Sequence, residues 1–237
     1  MDPPPPLRVL HVDAHVVVIE KPPGLLVHAT SLDAHEAVNA LDLLRAQLAV
    51  PLWPLHRLDK GTSGALAFAR DAGTARALGA AFEAGQVRKR YLAVVRGWPP
   101  ERGEIDHPLA RDPELPSAGQ PHLPALTRYR RLSCHEWPVA DPGGRHATSR
   151  FALMEVDPAS GRRHQIRRHF KHIGHPLVGD STHGKGPVNR QVAAGLGISR
   201  LWLHALRLEL PPVEGRDAVI VEAAPGPEWA AAWPTPA

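Results

Sequence analysis

The chain has 237 residues, enough to bury a sizeable core as one large domain or one domain of two lobes. Its 28 Lys and Arg against 24 Asp and Glu leave +4 with histidine neutral, and 15 histidines can add charge beside a polyanion, so the balance leans towards nucleic acid. A lone Cys134 excludes an internal disulfide and a Cys-based zinc site, "MDPPPPLRVL" has an acid and prolines in place of a leader's basic and apolar regions, and no apolar run reaches membrane length; a soluble, cytoplasmic protein is expected.

Met1–Pro6, with four prolines, reads as an extended tail. In "LRVLHVDAHVVVIEKPPGLLVHA" two runs of Val, Ile and Leu are broken at "DAH" and "PPG", which predicts a hairpin-like opening. Val38, Leu41, Leu44 and Leu48 then recur at near-helical spacing, with Asp33 and Glu36 set as a capping box. "GALAFA" predicts a strand, and Asp71 caps a helix through "AGTARALGAAFEAG" that stops at Gly85. "VRKRYLAVVRGW" is strand-like again. The polar, proline-rich stretch Pro99–Pro124 has no periodicity and reads as a loop or a short β excursion.

"ALTRYRRLSCHEW" and "SRFALMEVDP" predict strands flanking the loop "PVADPGGRHAT". After Gly161, "RRHQIRRHFKHIG" has helical composition with Gly174 at its end, and "RLWLHALRLEL" and "AVIVEAA" close the chain as strands. Short strands and helices alternate irregularly, which points to α+β with a mixed sheet and not to a doubly wound parallel one. With no internal repeat, no GxGxxG after a strand and no P-loop, no cofactor is expected.

Charge concentrates in "GRRHQIRRHFKH", where Arg162, Arg163, Arg167, Arg168 and Lys171 stand among histidines with no acid. On a helix, Arg163 and Arg167 would share one face and Arg168 and Lys171 another, each pair costing about 0.2–0.5 kcal/mol in repulsion. The run is therefore a solvated basic face, or a patch that phosphates or a carboxylate neutralise. His164, His169, His172 and His175 lack HExxH spacing and an adjacent carboxylate, so phosphate or backbone contacts are expected and no metal. Tyr91 directly follows Arg88, Lys89 and Arg90; it is either an ordinary core or edge tyrosine or a base-stacking ring beside a phosphate track. Asp59, in "HRLDKGTSG", could stabilise its turn through Thr62 and Ser63. Held anionic by Arg57 and Arg167, it would instead suit a nucleophile or base.

In this order and spacing, "HRLDKGTSG", "RKRYLAVVRG", "GRRHQIRRHFKHIGHPLVGD" and "LWLHALRLEL", with "KPPGLLVH" ahead of them, resemble the RluA-class pseudouridine synthases over residues 7–225. The resemblance implies an α+β pseudouridine synthase fold: a mixed, mostly antiparallel central sheet, flanking helices and a catalytic cleft. It implies one catalytic domain over 7–237, of two lobes and without an S4 domain. It also implies that Asp59 is the catalytic carboxylate, Tyr91 stacks on the target uracil, Arg167 pairs with Asp59, Ile166 packs beside the base, and Arg57 fills the space vacated by the flipped nucleotide.

Arg88, Lys89, Arg90, Arg162, Arg163, Arg168 and Lys171 are the expected phosphate contacts. "GDSTHGKGPVNRQVAAGLGISRLWLHA" resembles the branch that modifies uridine 65 of transfer RNA, while "LPPVEG" departs from the His-Pro pair of many relatives. The expectation is an RNA pseudouridine synthase acting as a monomer, by base flipping, without metal or cofactor. The alternatives are a synthase of the same class acting on ribosomal RNA or another transfer RNA position, and a non-catalytic RNA-binding protein.

Overall fold

The opening hairpin is present in the structure, a computed structural model in which residues 5–28, 38–138, 140, 146–213 and 215–233 are described. Most of the expected tail, and the expected capping pair Asp33 and Glu36, lie outside those residues. The chain divides into two units, Met1–Lys89 with Ala205–Ala224 and Arg90–His204 with Pro225–Ala237.

In the first unit, β1 (Arg8–Val12) runs antiparallel to β2 (Val16–Lys21). Asp13 closes their turn, its Oδ1 accepting the amides of His15 and Val16, each at 2.7 Å. α1 (Ala40–Leu48) opens after Asn39, whose side chain accepts the Asp42 amide at 3.0 Å, so Val38 precedes the helix that it was expected to join. β3 (Trp53–Pro54) and β2 both pair antiparallel with β4 (Ser63–Ala69). α2 (Ala72–Glu83) starts at Asp71 as expected, with Oδ1 accepting the Thr74 amide at 2.8 Å.

β4 is buried along its whole length. Ala65, Ala67 and Ala69 join Val16, Val18, Leu78 and Ala81 in one apolar cluster. Small side chains on that strand face let α2 pack closely on it.

In the second unit, β5 (Arg88–Arg96), whose first two residues belong to the first unit, leads into β6 (Arg102–Asp106) and a separate two-strand ladder of β7 (Leu109–Ala110) and β8 (His122–Leu123). The stretch 99–124 is thus a β excursion. β9 (Leu126–Trp137) and β10 (Ser149–Pro158) follow, and the order β5-β10-β9-β6 is antiparallel at each step. α3 (Gln165–His172) packs on β9 and β10. α4 (Gly186–Leu196) was not expected; only Val188 and Val192 form its buried stripe, too short a signal to stand out.

β11 (Leu203–Leu210) carries the chain back into the first unit beside β4, where β12 (Val219–Glu222) pairs with it antiparallel. α5 (Pro227–Ala232), also unforeseen, returns to the second unit. There Trp233 stacks on Trp137 at 4.4 Å and meets Phe151 and Trp202 edge-on, an aromatic core assembled from distant segments. The architecture is the expected α+β with antiparallel ladders. No helix of the described residues is long and apolar enough to cross a membrane.

Candidate active site

Asp59 lies half-buried in the loop between β3 and β4, and that loop is tied down on both sides. Leu55 donates its amide to Ala67 O at 3.1 Å, and Ala67 returns its own to His56 Nε2 at 3.1 Å. Beyond Asp59, Gly24 N donates to Lys60 O at 2.8 Å. Lys21, wholly buried, gives its ammonium protons to the carbonyls of Pro22, Leu25 and Lys60 at 2.9, 2.8 and 3.2 Å. A buried ammonium needs such acceptors, so the "KPPG" turn and the "DKG" turn are one construction. The Asp59 carbonyl accepts the Thr62 amide at 2.9 Å, but the buried Thr62 hydroxyl has no hydrogen-bond partner among the described residues. The Asp59 carbonyl thus helps to close the turn, and the Thr62 hydroxyl takes no part in it.

In the second unit, α3 begins at His164, a non-glycine residue in the left-handed region at φ 55°. Gln165, buried, secures this entry: its amide donates to Leu126 O and Thr127 Oγ1 at 3.0 Å each, and its oxygen accepts from Ser160 Oγ at 2.7 Å and Arg162 N at 3.0 Å. The helix then buries Ile166, Arg167, His169 and Phe170. His169 Nε2 faces the His107 carbonyl at 3.0 Å, so that nitrogen carries the proton, and Nδ1 takes the Thr127 hydroxyl at 2.9 Å.

Arg167 holds Asp180 in a two-pronged grip, Nε to Oδ2 at 2.7 Å and Nη2 to Oδ1 at 2.8 Å, with the side chains 8% and 0% exposed. Burial alone would raise the Asp180 carboxyl. The Arg167 hydrogen bonds and charge, with the amides of His183 and Thr182, outweigh it and hold the group below its ordinary value. His183, hydrogen-bonded to His164 Nδ1 at 3.0 Å, is pushed down to about 4 by burial, against the pull of Asp180. It is neutral at pH 7.

The expected phosphate contacts divide. Arg163 precedes the helix and so does not share a helical face with Arg167; it pairs with Glu114 and lies 3.5 Å from Asp112. Arg90 donates to Asp157 at 3.1 Å and lies 3.7 Å from Glu155. Arg162 and Arg168 donate to the carbonyls of Pro124 and Ala110 at 3.1 and 2.9 Å. Arg57, Arg88 and Lys171 are exposed, and Lys89 is half-buried. Tyr91 is buried opposite Val156 of β10. Sequence reasoning assigned no part to Gln165, Asp180, His183 or Asn189. Asp180 stood inside the quoted "HPLVGD", but no neighbour in the chain announced its partner.

The sequence model of the family described as RNA pseudouridylate synthase matches residues 15–172, which take in Asp59, Tyr91 and Arg167. The chain is 37% identical over 228 residues to tRNA pseudouridine synthase C of Vibrio cholerae serotype O1, covering 94% of this chain and 93% of that protein. It is 39% identical over 215 residues to the protein of the same name from Yersinia pestis, covering 88% and 83%. Among solved structures, human RNA pseudouridylate synthase domain containing 1 superposes with a TM-score of 0.73 at 27% identity, over 96% of this chain and 87% of that one. This chain belongs to the RNA pseudouridylate synthase family. It is an isomerase that converts uridine in RNA to pseudouridine.

Proposed function

We propose that the chain isomerises uridine 65 of transfer RNA, in the cytoplasm and as a monomer, with residues 7–237 acting as one catalytic domain. The relatives named tRNA pseudouridine synthase C support the transfer RNA reading, and the sequence likeness of residues 179–205 supports the position. In this reaction the N1–C1′ bond breaks, the uracil turns over and C5 bonds to C1′. The C5 hydrogen leaves to solvent while N1 takes up a proton, so nothing is oxidised or transferred.

Such a reaction needs a carboxylate at C1′, a platform for the detached base and a flipped nucleotide, whose extrusion costs a few kcal/mol. In this reading Asp59 is the carboxylate, acting on C1′ or on the 2′ proton. Arg167 is the cation held against it, Tyr91 stacks on the uracil, Ile166 packs beside the base, and Arg57 fills the vacated space. Of the expected phosphate contacts, Arg88, Lys89, Arg90, Arg162, Arg168 and Lys171 face the RNA backbone, while Arg163 stays with Glu114. The observation that carries the reading is the Asp59 loop: its backbone is pinned by Lys21, Gly24 and Thr62.

Tritium release from 5-tritiated uridine in transfer RNA transcripts tests the proposal. Asp59→Ala abolishes release while RNA affinity falls by much less. A transcript with cytidine at position 65 releases none. Comparable loss of binding and turnover in Asp59→Ala would remove the catalytic role, and release from the cytidine transcript or from ribosomal RNA instead would move the target.

A further inference from the structure

We propose that Asp180 is the positioning residue of the active-site arginine, and that α4 holds it in place through Asn189. The inference rests on the reading of Arg167 as a site residue. Asp180 collects four hydrogen bonds: the two prongs of Arg167, and the Thr182 and His183 amides at 2.9 and 2.8 Å on Oδ1. A planar fork matched to a carboxylate fixes the orientation of the guanidinium as well as its place.

The backbone that presents Asp180 is itself fastened. Asn189 accepts the Gly179 amide at 3.0 Å through Oδ1 and donates to the Asp180 carbonyl at 2.9 Å through Nδ2. Gly179 has φ 77°, and a Cβ there would lie 1.8 Å from Arg200 O, so the chain is pressed against that segment where only glycine fits. The fork uses Nε and Nη2 of Arg167, which turns the Nη1 edge away from Asp180. Asp180 thus aims one guanidinium from behind, and the segment around α4 sets the aim.

A purely structural ion pair would affect stability and leave turnover per folded molecule alone. A positioning residue lowers kcat without weakening RNA binding, because a misplaced charge is felt in the transition state. In Asp180→Asn, which keeps the shape and removes the charge, kcat falls about 10–100-fold with KM for transfer RNA within about 2-fold. Arg167→Ala combined with Asp180→Asn is no slower than Arg167→Ala alone, since both remove one device.

A folded Asp180→Asn enzyme with unchanged kcat, beside a slow Arg167→Ala enzyme, overturns the positioning role alone. Normal turnover in Arg167→Ala overturns the reading of Arg167 and the inference with it. Should circular dichroism show that Asp180→Asn does not fold, Asn189→Ala takes its place. Its kcat falls about 3–10-fold at constant KM, and an unchanged kcat overturns the proposal.

Discussion

His56 is held as a hydrogen-bond acceptor by Ala67: the strand amide points at Nε2 from 3.1 Å, while Phe82 stacks on the imidazole at 4.9 Å. Burial first, and the charge of Lys89 second, push this histidine from 6.5 down to about 3. The unfolded chain takes up the proton near 6.5 and the folded chain only near 3. Between those values the unfolded state binds more protons, so stability is full above the window and is lost as pH falls through it. His183, held to about 4, acts in the same direction. Urea midpoints measured from about pH 7 to about pH 4 therefore fall, and His56→Gln, which keeps an acceptor and cannot titrate, shows a shallower fall. Equal slopes in the two proteins would contradict this account.

The basic residues separate by what already holds them. Arg88 and Lys171 are exposed, whereas Arg163 is engaged by Glu114. Alanine at Arg88 or Lys171 weakens RNA binding and reduces the slope of log affinity against log salt by about one each. Alanine at Arg163 leaves the slope nearly unchanged. A drop of one at Arg163 would show that RNA displaces its carboxylates.

Gln165 satisfies groups from three places at the entry to α3. Gln165→Leu keeps similar bulk and strands buried partners, each costing about 1–3 kcal/mol. A loss of about 3 kcal/mol is expected, read as a lower urea midpoint at constant m. A midpoint within error of the parent would mean that water reaches these groups.

Two glycines with positive φ separate strain from contact. At Gly24, φ 85°, a Cβ meets nothing within 4 Å, while at Gly179 it meets a carbonyl oxygen. Gly24→Ala costs about 1 kcal/mol of backbone strain. Gly179→Ala costs that and the displacement of the Arg200 segment, lowering Tm by about 6–10 °C. Similar Tm values for the two variants would refute the close approach at Gly179.

Much of the local architecture was legible in the chain. Apolar runs marked β2, β4, β10 and β12, and Asp71 with Gly85 bracketed α2 correctly, because caps and turns act within a few residues. α1 began later than expected, since Asn39 supplies the cap at its start. α4 and α5 escaped because each buries only two side chains, and their stability comes from packing on distant segments.

The proposed site residues, Asp59 in its turn and the arginines around Gln165, were nominated from residue type, order and family likeness. Their neighbours were not. The basic run has no acid of its own, yet Arg163 finds Glu114 49 residues away and Arg167 finds Asp180 13 residues away. Charge pairing acts over a few ångströms and burial depends on what excludes water, so both are properties of chain segments brought together, which no window of sequence contains.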